Sequence, residues 1–111
     1  MNDMRESDWK KFRKIHTLAL ERFCKRILDE VAEVSNASPK TFHERYLKVY
    51  ALIRNRDKEI DIIFGECKRS TAIQSLAAMR LNDLVTDDEY HEISGETRLI
   101  VDSLAEFMRG G

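Results

Sequence analysis

Apolar residues recur along this chain at steps of three and four, the spacing that gathers them on one face of an α-helix. One series runs Phe42, Tyr46, Val49, Ile53, Ile60, Phe64 and Cys67, and its single skipped turn holds the charged pair Arg56 and Asp57. This series reads as the face around which the chain is organised. An earlier series runs Trp9, Phe12, His16, Ala19 with Leu20, Phe23, Ile27, Val31 and Val34, a helix of about eight turns. Residues before Ser7 carry no such pattern and are expected to fray, with Ser7 or Asp8 capping the helix that follows.

Ser35-Asn36-Ala37-Ser38-Pro39 interrupts the two series. Ser38 can cap a second helix with Pro39 in its first turn, and Thr41 with Glu44 offers a capping box as an alternative start. So short a connection folds two long helices back as an antiparallel hairpin. With the turn centred near Ala37, residues whose numbers sum to about 74 face each other, because both helices rise equally per residue. That register sets Trp9 against Phe64 and His16 against Asp57.

Beyond Cys67 the apolar stripe changes phase to Ile73, Leu76, Ala77, Leu81 and Leu84, which implies a kink or a new helix, with one continuous helix that offers its second face to another partner as the competing reading. Lys68-Arg69-Ser70 is the connection and Thr71 with Gln74 a capping box. Thr86-Asp87-Asp88-Glu89 is a further capping box, and Gly95 after Ser94 separates it from a last amphipathic stretch of Thr97, Leu99, Ile100, Leu104, Phe107 and Met108. The expected fold is all-α: one domain over residues 1–111, a long antiparallel hairpin with two or three shorter helices packed on it as in a bundle.

Composition adds a consequence for assembly. One proline, four glycines and 35% charged residues suit helices, and 111 residues are too few to cover a long hairpin from all sides. A homodimer, or a protein partner, is therefore expected. Leu18, Tyr50, Leu52 and the stripe of Ile73, Leu76, Leu81 and Leu84 are the expected contact surface, since the hairpin seam cannot bury them. No apolar run reaches the ~18 residues of a membrane span, and the first residues lack the apolar core of a signal peptide, so a soluble cytoplasmic protein is expected. Cys24 and Cys67 stand far apart and read as buried thiols.

Charge is uneven. Residues 1–26 hold eight Lys and Arg against four Asp and Glu, and residues 86–111 hold two against seven, so the two ends attract, within one molecule or between two. Lys11, Lys14, Arg22 and Lys25 form a basic stripe opposite the apolar face of the first helix. A stripe of this size could follow phosphates, but the overall acidity argues against nucleic acid as a partner.

Candidate chemistry is sparse. The polar layer of His16, Asp57 and Arg56 could form an acid–base cleft for a small anionic substrate, yet isolated polar layers more often fix register between helices. No nucleophile falls beside it. His16, His43 and His91 are the only histidines; Asp88 and His91 alone approach a Glu-x-x-His spacing, and Leu47 stands where a zincin motif beginning at His43-Glu44 needs its second histidine. Glu30 and Glu33 resemble half of the magnesium motif of all-α pyrophosphohydrolases, but Glu59 leads only to Ile62. No glycine-rich phosphate loop occurs. No metal or cofactor is expected, and the leading expectation is a non-catalytic interaction or regulatory module.

Overall fold

A computed structural model describes residues 3–110. Helix α1 spans Glu6–Ser35 and α2 spans Phe42–Ile63; a 3-10 turn at Arg69–Thr71 leads into α3, Ala72–Leu81, followed by the short α4, Asp87–Tyr90, and by α5, Gly95–Gly110. Every regular element among the described residues is a helix, with no strand. The all-α hairpin architecture expected from the sequence is present.

The helix ends follow from local chemistry. Thr41 and Glu44 form the reciprocal capping box of α2, so the helix starts there, beyond the Ser38-Pro39 pair. It stops at Ile63, short of Cys67, where Gly65 adopts the left-handed region at φ 51° that a side chain would resist. Thr71 makes no cap for α3; its hydroxyl donates to the Lys68 carbonyl instead. Thr86 and Glu89 do close the expected box at α4. Asp83, at φ 56°, ends α3, and Leu84 N–H reaches back to the Met79 carbonyl at 3.0 Å.

The molecule measures 53 × 27 × 22 Å and divides into a head and an arm. In the head, Phe12, Ile15, Ala19 and Phe23 of α1 pack on Phe64, Leu76, Met79 and Val101. Helix α3 lies between α1 and α5. Most of its surface is buried, from Ala72 to Met79 with Gln74 the exposed exception. This corrects the expected contact surface: Ile73, Leu76 and Leu84 are core, and Leu81 packs half-buried against it.

Helix α5 packs on α3 and buries Thr97, Val101 and Ala105, with Leu104 half-buried beside them. The larger Leu99, Ile100, Phe107 and Met108, expected to be its buried face, are exposed. The N-terminal segment is likewise not frayed where it is described. Met4 is fully buried, and its carbonyl accepts from Arg69 Nε; Met1 and Asn2 lie outside the described residues.

Asp8 does not cap α1, whose N-cap is Arg5 without a side-chain hydrogen bond. It is buried at the start of α5 instead, accepting from Ser94 N–H at 2.8 Å, Ser94 Oγ at 2.7 Å and Thr97 Oγ1 at 2.6 Å. Burial pushes its carboxyl up, but these donors together with Arg5 outweigh that and hold it below the usual aspartate range. The opposite charges of the chain ends meet within the molecule: Arg5 pairs with Glu96, Lys11 with Glu92 and Arg22 with Glu89.

Candidate interaction surface

The second half of α1 and nearly all of α2 leave the head as a two-helix arm. Between Cys24 and Ile62 no side chain is buried. The register differs from that expected: Ser35 meets Arg45, Glu30 meets Arg56 and Phe23 meets Phe64, so facing residues sum to 80–87. The connection from Asn36 to Thr41 is longer than a tight turn at Ala37, which slides α2 along α1.

That slide dissolves the polar layer. His16 lies in the head with its ring edge-on to Phe12 and Phe64 and Nε2 3.4 Å from the Phe64 carbonyl. Asp57 sits beside Ile27 in the arm, eleven residues along α1 and about 16 Å from His16 at helical rise. Arg56 turns to the other side of the arm, where it donates to Glu30 at 2.9 Å and to Glu59 at 2.7 Å. Hydrogen bonds from Arg56 hold the Glu30 carboxyl below its usual range, against a smaller opposing effect of burial, and Arg56 itself is held firmly protonated. The three residues expected to form one cleft belong to three separate environments.

The arm has two unlike faces. One carries Arg26, Asp29, Glu30, Arg56 and Glu59. It is continuous with the head, because the Arg26 guanidinium donates to the carbonyls of Asn82 and Asp83 at the end of α3, both at 2.8 Å. The other face is apolar: Cys24, Leu28 and Val31 of α1 and Ile53 and Ile60 of α2 line a shallow groove of about 360 Å³, with Asp57 the one charge in it. At 100° per residue Phe42 and Tyr46 continue this face toward the tip of the arm. Phe42 is 84% exposed, and Leu28, Tyr46, Tyr50 and Ile53 are exposed as well.

Of the expected contact residues, Leu18 and Tyr50 are exposed and Leu52 is half-buried against α1. Phe42, Tyr46 and Ile53, which the spacing places in the seam, are on the surface, and so is Leu28, which no apolar series includes. A signal for them exists in the sequence. Helix α2 carries two adjacent seven-residue series, Phe42-Val49-Arg56-Ile63 and Tyr46-Ile53-Ile60, a face wider than one partner helix covers.

The basic stripe is largely spoken for. Arg22 makes a bidentate pair with Glu89 at 2.6 and 2.8 Å and donates to the Leu84 carbonyl, and this pulls the Glu89 carboxyl down to about 2. Lys11 faces Glu92 at 3.7 Å and Lys25 pairs with Asp29; Lys14 has no acidic partner among the described residues. A cleft of about 740 Å³ opens between α3 and α5 beside Arg22, but its arginines Arg22, Arg80 and Arg109 are each engaged by an acid, Glu89, Asp87 and Glu106. No group of three or more His, Cys, Asp or Glu side chains comes together in a metal-binding geometry among the described residues, and no helix there is long and apolar enough to cross a membrane. Cys24 is half-buried at the groove and Cys67 is exposed, so neither is the core thiol expected.

No protein-family model, curated protein or solved structure matches the chain.

Proposed function

We propose that this chain is a non-catalytic helical interaction module that self-associates through the apolar face of its arm. The supporting observation is that a span from Cys24 to Ile62 buries no side chain of its own yet exposes Leu28, Phe42, Tyr46, Tyr50 and Ile53. An isolated pair of helices without a core gains little from packing, and a large contiguous apolar patch marks a contact site. A dispersed polar layer and clefts whose charges are already paired lend the enzymatic reading no comparable support.

Sedimentation velocity on the full chain tests this. The expected result is a species of twice the 13.0 kDa chain mass at concentrations down to about 10 μM, which corresponds to roughly 7 kcal/mol of association. A monomer persisting at about 500 μM would overturn it.

A further inference from the structure

We infer that the occupant of the apolar face is the same face of a second copy laid antiparallel, with α2 against α2 and the two heads at opposite ends of a four-helix bundle. This rests on the self-association reading above. The sidedness of the arm limits where a partner can sit: the Arg56, Glu30 and Glu59 side is charged and tied to the head through Arg26, so only the Leu28 and Ile53 side can be stripped of water without separating charges.

Size is consistent with this occupant. The run from Phe42 to Ile60 is about 27 Å long at helical rise, and two helices side by side are about 20 Å across, so each copy offers roughly 540 Å², close to the ~600 Å² per partner at the lower end of stable interfaces. A second hairpin also supplies two helices, the number needed to close a bundle core around two.

Orientation is decided by Asp57, the only charged group in the groove. A two-fold axis crossing the helices at the middle of the run, near Ala51 and Leu52, sets Asp57 of each copy opposite Tyr46 of the other, whose phenol can donate to it. Both residues lie within about 20° of one another around α2, so they share the contact line. A two-fold axis along the helices instead lays α2 over the second copy's α1 and presses Asp57 onto Cys24 and Leu28, where a carboxylate would be dehydrated without a donor. The antiparallel arrangement gives the acid a partner twice over, and the parallel one leaves it bare twice over.

The test uses the full chain with Cys24→Ser and Cys67→Ser, its dimer mass first checked, and a nitroxide on Lys40→Cys at the tip of the arm. Pulsed electron resonance is expected to give a tip-to-tip distance of about 35 Å, from some 23 residues of helical rise. Ile53→Asp, at the centre of the face, is expected to weaken dimerisation at least about 100-fold while leaving helix content unchanged, because Ile53 is exposed in the single chain. A tip-to-tip distance under about 20 Å, or an Ile53→Asp protein that still dimerises, overturns the antiparallel face while self-association stands. A chain that is monomeric throughout overturns both.

Discussion

Asp8 places a carboxylate at 2% exposure in the head and surrounds it with three donors from the start of α5. Replacing one oxygen by an amide NH₂ turns a donor against Ser94 or Thr97, so Asp8→Asn is expected to cost about 2–3 kcal/mol in urea unfolding. Glu89, drawn down to about 2 by Arg22, and Asp8, lowered by its donors, bind protons more readily when unfolded. Their contribution is therefore fully present above about pH 5 and is lost as pH falls from about 4.5 toward 2. The urea midpoint should drop steeply between pH 5 and 3, and Glu89→Gln should flatten that drop. The sequence shows both acids but not these partners: Asp8 reads as a local cap, and its true contacts lie some 86 residues away.

At the scale of elements, the starts of α2 and α4 were legible, since the capping boxes Thr41–Glu44 and Thr86–Glu89 act within four residues, whereas the caps expected at Asp8 and Thr71 did not form. Buried faces were less so. Of the stripe that periodicity marks in α5, Thr97 is buried and Leu104 half-buried, yet Leu99, Ile100, Phe107 and Met108 are exposed and the smaller Val101 and Ala105 are buried in their place. Ala77, fully buried in α3, should not tolerate bulk: Ala77→Leu is expected to destabilise by about 1–3 kcal/mol. Phe107→Ala, at a position 74% exposed, should change stability of the single chain by less than about 0.5 kcal/mol. Thermal or urea unfolding of the two variants measures the contrast.

The whole molecule is a closed head from which an open arm projects. The head unites both ends of the chain through Asp8 at the start of α5 and through the Arg22–Glu89 pair, and it contains all the buried side chains among the described residues. Local stability should follow this division. In amide hydrogen exchange, residues 24–62 of the Ile53→Asp protein are expected to exchange well ahead of α3 and of residues 12–23 of α1, whereas in the self-associated wild-type chain the arm should be protected to a similar degree. Uniform protection in the variant would mean that the arm is stable without cover.

The sequence by itself determined the class of fold, the hairpin, the break after Ser35 and the charge that draws the ends together, because helix periodicity, capping and net charge are properties of neighbouring residues; the end of α2 fell at Ile63, ahead of the connection expected at Lys68–Ser70. Tertiary structure decided the register of the hairpin, and with it the separation of His16, Asp57 and Arg56. It also decided that the Ile73 to Leu84 stripe is core and the Phe42 to Ile53 stripe is surface. Both stripes recur at helical spacing when read along the chain. Which one is dehydrated depends on what the remaining helices reach, and α5, returning through α4, covers α3 and leaves the distant arm bare.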